Sequence, residues 1–176
     1  MFVSVPSAGP LAEVGARIEG MAQTRWSAVR DEQVPDDVDR LLLTVPEWFG
    51  RPESNAEYVD DARIMETWTV RNEAGEVVGV TLVSWHFDHS AEVHFTVVDR
   101  SEHGAGVGTA MMRAIAADVR RRGAKLLQVK TLGASNPDPN YDRTRHFYQK
   151  VGFFPLEETD LWDEQTPCLS MVMPLV

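Results

Sequence analysis

Cysteine occurs once, as Cys168, in a chain of 176 residues, so no internal disulfide can form. Long apolar runs are missing too: none approaches the ~20 residues that a membrane-spanning helix needs. The start, Met1-Phe2-Val3-Ser4-Val5-Pro6, has no basic segment followed by a sustained apolar one. A secretory leader is therefore not expected, and a cytoplasmic location is. Positive charge is scarce, with 17 Lys and Arg against 27 Asp and Glu and a net charge of −10. The stretch 31–66 holds Asp31, Glu32, Asp36, Asp37, Asp39, Glu47, Glu53, Glu57, Asp60, Asp61 and Glu66 against Arg40, Arg51 and Arg63. Such a surface repels nucleic-acid backbones; it reads first as a solvated, solubilising face and second as one that draws a cationic small molecule. Arg120-Arg121-Arg122 is the one basic run, and it falls where a helix ends, a place that favours cations for the dipole alone.

Repeats and low-complexity linkers are also lacking. A single domain is expected over residues 24–176, preceded by an arm or short helix over the Gly-, Ala- and Pro-rich residues 1–23. A chain of this size buries roughly two-thirds of its unfolded surface.

What is present alternates in type along the chain. Thr24–Val29 reads as a strand, and Val34–Val45 has helical spacing of Val34, Val38, Leu41, Leu42 and Val45 before Pro46 stops it. Ser54 with Glu57 resembles a capping box for a short helix through Asp61. Ile64–Val70 and Val77–Phe87 read as strands joined by the turn Asn72-Glu73-Ala74-Gly75, and Ala91–Val98 as a third. A helix follows with Val107, Met111, Ala114, Ile115 and Val119 on one face, ended by Gly123. Leu126–Leu132 is a strand, Gly133–Asn140 a loop, Tyr141–Val151 a helix stopped by Gly152, and Cys168–Met173 a last strand. An antiparallel meander followed by alternating elements defines a mixed α/β sheet.

The most informative stretch is His103-Gly104-Ala105-Gly106-Val107-Gly108, at a strand-to-helix junction. Its glycines let backbone N–H groups approach a ligand closely, and the helix adds unpaired N–H groups and the positive end of its dipole. That combination suits a phosphate or pyrophosphate. A P-loop would need Gly-Lys-Ser/Thr, whereas Gly108 is followed by Thr109 and Ala110. A dinucleotide fold would need a third glycine one position later and an acidic end to the next strand, which instead ends Lys130-Thr131.

The run Val98 to Gly108 resembles the pyrophosphate loop of the GNAT family of acyl-CoA-dependent N-acyltransferases, with His103 at the Arg/Gln position and Gly106 and Gly108 at the small ones. Arg145-His146-Phe147-Tyr148-Gln149-Lys150-Val151-Gly152-Phe153 resembles the family's helix ending in Phe-Tyr-x-x-x-Gly-Phe. The resemblance covers residues ~76–156 and implies a central, mostly antiparallel twisted sheet, splayed at the cofactor cleft and flanked by helices. It implies acetyl-CoA as co-substrate. Backbone near Val97 and Val98 would pair with the pantetheine arm, and N–H groups of His103, Gly104, Ala105, Gly106, Val107, Gly108 and Thr109 would hold the pyrophosphate. Thr144 would add a contact from the later helix. The family's common Asn is Tyr141 here, and its usual Ala is Thr144.

Acyl transfer to an amine needs a base for the ammonium and an acid for the departing thiolate. Glu92, in Ala91-Glu92-Val93-His94-Phe95-Thr96, matches a glutamate that a subset of the family uses as base, and burial is expected to raise its pKa. Strand alternation puts Glu92, His94 and Thr96 on one face, making His94 a rival or relay. Tyr148 matches the family tyrosine near the cofactor sulfur and is the expected acid. His86, His89 and His94 do not share a face at strand spacing, so no metal is expected. Cys168 reads as a buried structural thiol, and Trp48, Phe49 and Trp162 as packed loop aromatics or walls of the acceptor pocket.

The reaction expected is acetyl transfer to a primary amine, first a cationic small molecule, second a protein or peptide amine. A non-catalytic acyl-CoA-binding module is the alternative from another class. Dimers are common for the fold so implied.

Overall fold

The computed structural model describes residues 25–163 and 166–175. The arm or helix expected over residues 1–23 lies outside them, as does Thr24. The elements run β1 (Ala28–Asp31), α1 (Pro35–Leu42), α2 (Pro52–Asp61), β2 (Glu66–Arg71), β3 (Val77–Phe87), β4 (Ser90–Val98), α3 (Val107–Arg121), β5 (Leu126–Leu132), α4 (Pro139–Val151), β6 (Phe154–Asp163) and β7 (Thr166–Pro174). Seven strands form one sheet in the order β1-β2-β3-β4-β5-β7-β6. Every neighbouring pair is antiparallel except β4 and β5. No helix among the described residues is long and apolar enough to cross a membrane.

The sheet separates two apolar layers. On one side Val38, Leu41 and Leu42 of α1 pack with Val80, Leu82, Phe95 and Val97. On the other, Met111, Met112, Ile115 and Val119 of α3 join Val83, Val93, Leu127, Val129 and Tyr148. An eight-residue helix such as α1 is marginal alone. Burying its three apolar side chains, at roughly 1.5–3 kcal/mol each, holds it to the sheet.

Where boundaries differ from expectation, the cause is local. α2 begins at Pro52, two residues before the expected capping box, and neither α1 nor α2 has a side-chain cap. Proline supplies the preset φ for a first helical position and needs no partner for an N–H. α4 begins at Pro139 for the same reason, and here Asp138 does cap, accepting from the N–H groups of Asn140 and Tyr141. β6 is an addition: it is the sheet edge, its side chains are almost all exposed, and it carries Pro155 and four carboxylates. An edge strand needs no apolar face, so the signature that marks the other strands is missing.

Candidate active site

The parallel β4–β5 register pairs Ser90–Val93 with Leu126–Val129 and stops there. Beyond it β4 stays on β3 up to Val98, while β5 stays on β7 through Leu132. The sheet thus splits between Val93 and Val129, and the two lips are the chain after β4 and the chain after β5.

The first lip is the glycine loop. A short 3₁₀ turn over Arg100–Glu102 is capped by Asp99, whose carboxylate accepts from Ser101 N–H at 2.9 Å. Gly104 and Gly106 then take left-handed φ of 79° and 98°, and Gly106 is the N-cap of α3. These conformations cost an L side chain about 1–2 kcal/mol, which is why glycine stands there. The N–H groups of Val107, Gly108 and Thr109 belong to the first turn, where no helical carbonyl can accept from them. Gly108 has a second reason: an added Cβ would meet Phe147 Cζ of α4 at 3.1 Å. His103 bonds through Nε2 to the Val98 carbonyl at 3.0 Å, and its ring meets Trp48 edge-on at 5.5 Å. Trp26 was not foreseen here; its indole N–H donates to the Ala105 carbonyl at 3.0 Å and fixes the loop from β1's side.

The second lip is the start of α4. Thr144 accepts from the Trp48 indole N–H at 3.0 Å, and the Tyr141 hydroxyl donates to the Trp48 carbonyl at 3.0 Å. The α1–α2 loop therefore reaches across to α4, so Trp48 bridges both lips. Trp48 and Phe49 are packed loop aromatics, as one of the two readings held; Phe49 meets Phe95 at 5.5 Å.

Val97 and Val98 lie on β4 past the split, paired with Val80 and Gly79 on β3. Tyr148 is 4 % exposed, among Phe147 and Phe153 of the α3–α4 layer. Burial above all, then the phenols of Tyr141 and Tyr58, push its ionisation well above the ordinary tyrosine value. Tyr141 is raised to about 12, again chiefly by burial, then by Tyr58. Tyr58 of α2 thus acts on both Tyr141 and Tyr148 of α4, while its own ionisation is raised chiefly by burial and then by Glu57 and Asp61. Tyr58 had no signal in the sequence beyond its place on a short acidic helix.

Two expectations about β4 need correction. Leu82 faces Phe95 and Val83 faces Val93, so His94 is the extra residue of a β-bulge. Strict alternation fails at that point. Thr96 lies on the α3 side, 2.8 Å from the hydroxyl of Thr81, which donates to Met111 Sδ. His94 and Phe95 both turn to α2: His94 Nε2 bonds Asp61 Oδ2 at 2.8 Å, and Phe95 stacks on Tyr58 at 4.6 Å. The second correction concerns Glu92. Desolvation pushes this 4 % exposed carboxyl upward, but it accepts from Lys130, His86 and Gln128, and these with the Lys130 charge hold it below its ordinary value. Lys130 Nζ lies 2.8 and 2.9 Å from the two oxygens, and Gln128 Nε2 lies 2.7 Å from Oε2. His86, Gln128 and Lys130 were missed because no local motif links residues six, 36 and 38 positions from Glu92.

Cys168 is free and fully buried. Trp162 is exposed on β6. No group of three or more His, Cys, Asp or Glu among the described residues is arranged to hold a metal.

A sheet of this order, split beside a glycine loop that opens a helix, defines an acyl-CoA-type transferase fold. The family model of the GNAT acetyltransferases matches residues 26–153, and the chain belongs to that family. Among solved structures it is similar to Ard1 from Thermoplasma volcanium (TM-score 0.68, 20% identity, 85% of this chain and 99% of that one). It is similar also to a GNAT family acetyltransferase from Elizabethkingia anophelis with acetyl-CoA bound (0.64, 16%, 86% and 99%). A third is an aminoglycoside 6′-N-acetyltransferase complexed with coenzyme A (0.66, 19%, 85% and 97%). A search of curated proteins gave no match.

Proposed function

We propose that this protein transfers an acetyl group from acetyl-CoA to a primary amine of a cationic small molecule. The observation that carries the reading is the coincidence of the split sheet with the left-handed glycines and first-turn N–H groups at its mouth. The fit to the co-substrate is chemical. Gly104, Gly106 and the first turn of α3 offer N–H donors to a pyrophosphate, and β4 beyond Val93 offers strand backbone to the pantetheine amides. Thr144 and His103 line the two lips. Bound there, acetyl-CoA supplies an activated thioester carbonyl.

This chain's residues then have two proton tasks. Tyr148, kept protonated by burial, gives its phenol proton to the leaving thiolate. An acceptor on the α2 side of β4, where Glu92 and His94 stand, takes a proton from the amine. A cationic acceptor suits α2, which carries Glu53, Glu57, Asp60 and Asp61 and no lysine or arginine. The aminoglycoside enzyme similar in fold is consistent with that choice.

Calorimetric titration with acetyl-CoA tests the reading, comparing the native protein with Gly106→Glu. We expect binding to the native protein and none to the variant, with the variant's melting curve showing that it remains folded. No binding by the native protein would remove the co-substrate and every role that depends on it.

A further inference from the structure

We infer that His94 is the group that takes the amine proton, that Asp61 of α2 is the residue that positions it, and that Glu92 is a fixed counter-ion. This rests on the acetyl-transfer reading and specifies one half of it.

Glu92 has little left to offer. Its two oxygens already accept from Lys130, Gln128 and His86. A carboxylate so engaged is a poor proton acceptor, because protonation gives up the charge-assisted bond from Lys130 and weakens those from Gln128 and His86. Lys130 Nζ, 2.8 and 2.9 Å from the two oxygens, already holds the bridging position that a second ammonium would need.

His94 has the opposite character. The bulge that interrupts β4–β3 pairing makes it the extra residue, immediately past Val93, the last residue paired across to β5. It therefore stands where the sheet opens, on the α2 side. Its side chain is 35% exposed and open to a substrate. Asp61 is an acceptor only when ionised, so the 2.8 Å bond requires the imidazole to carry its proton on Nε2. Nδ1, the nitrogen nearer the strand backbone, is left with the lone pair. The groups in contact with His94 are Asp61, at 2.8 Å, and the Tyr58 ring, at 6.4 Å, both from α2; Glu92, paired with Lys130, stands two residues earlier on the same strand.

The step balances. The ammonium first releases one proton to solvent; the lone pair of the neutral amine then forms the C–N bond, and the C–S pair leaves with sulfur. One N–H proton passes to His94 Nδ1, where Asp61 stabilises the resulting imidazolium, and the Tyr148 phenol proton passes to sulfur. Imidazolium and tyrosinate then return to neutral forms by exchange with solvent. Asp61 touches neither reactant; it sets the tautomer.

Histidine ¹⁵N spectra of the whole protein test the positioning without any acceptor. We expect His94 as the Nε2–H tautomer in the native protein. In Asp61→Asn we expect a mixture, because an amide can either accept from or donate to Nε2. Turnover is then followed by thiol release from acetyl-CoA with spermidine and kanamycin as probes. His94→Gln should lose on the order of 100-fold in kcat, and Asp61→Asn about 10-fold, with KM for acetyl-CoA unchanged. Asp61→Glu should recover part of the loss. An Nδ1–H tautomer in the native protein, or unaltered tautomers in Asp61→Asn, would overturn the inference. So would full turnover by His94→Gln. Failure of both probes with the native protein, while acetyl-CoA binds, would count against the acceptor assignment; the tautomer result would still decide the role of Asp61.

Discussion

Replacing Lys130 by methionine isolates the buried ion pair at the sheet opening. The change keeps most of the aliphatic stem and removes the charge. Glu92 is left 4 % exposed with two donors, Gln128 at 2.7 Å and His86. Removing one partner of a buried pair costs about 3–5 kcal/mol when nothing else compensates. The two remaining donors and the 26% exposure of the lysine side chain place the expectation near the low end, at about 3 kcal/mol at pH 7. The pH dependence gives the sharper test. In the native protein the folded-state pKa of Glu92 lies below its ordinary 4.5. Its contribution to stability is therefore present above that value and lost as pH falls through the lower, folded-state one. Without Lys130, desolvation is opposed only by the Gln128 amide and the His86 ring, and the carboxyl moves upward. The variant's deficit should then shrink on acidification, because a protonated Glu92 no longer buries a charge.

Urea unfolding at pH 7 and pH 5, read by tryptophan fluorescence, measures both quantities, with an unchanged m-value as the check on the unfolded state. The double variant Lys130→Met/Glu92→Gln should regain most of the loss, since it leaves no unpaired charge. A deficit under about 1 kcal/mol at pH 7, or one that grows on acidification, would refute the reasoning.

Tyr148→Phe retains the ring against Phe147 and Phe153 and removes the proton, so kcat should fall at least about 10-fold while calorimetric affinity for acetyl-CoA stays within about twofold. An unchanged kcat would end its role as acid. Gly79→Ala would bring a Cβ to 2.8 Å from Val107 Cγ1 and 3.2 Å from Met111 Cε, on the first two turns of α3. It should cost about 1–3 kcal/mol by overpacking and weaken acetyl-CoA binding too, because Val107 follows the N-cap Gly106 directly. Normal affinity in a destabilised Gly79→Ala would uncouple the loop from the β3–α3 contact.

The central strands, α3 and the glycine loop were legible because local chemistry decides them. β3 and β5 begin and end where the apolar pattern does, and Gly123 and Gly152 take the left-handed φ values, 104° and 114°, that stop a helix. β6 was not legible, since an exposed edge has no inward face to mark. The bulge at His94 was not legible either. A one-residue excess is defined only against the partner strand, and Val83 and Leu82 of β3 hold that information. Glu92 was found as a buried carboxylate, but its charge state depends on Lys130 and Gln128 of the next parallel strand. Sequence proximity sees the burial and misses the donors.

The bulge and the split are parts of one geometric event. Up to Val93, the β4 side chains alternate between the two layers, and the strand pairs on both edges. At His94 an extra residue lengthens β4 relative to β3, which twists the strand locally and aims two successive side chains toward α2. Phe95 is captured there by Phe49 and Tyr58, and His94 by Asp61. On the opposite face Thr96, with Thr81, stays tied to Met111 of α3. β4 is thus gripped by α2 and α3 just where it leaves β5, whereas β5 is held to β7 through Leu132. Packing thus holds β4 on both faces at the point where its pairing with β5 stops. If bulge and split are coupled, deleting His94 to restore regular β4–β3 pairing should abolish calorimetric binding of acetyl-CoA and also remove the proposed base; unaltered binding would uncouple the bulge from the opening.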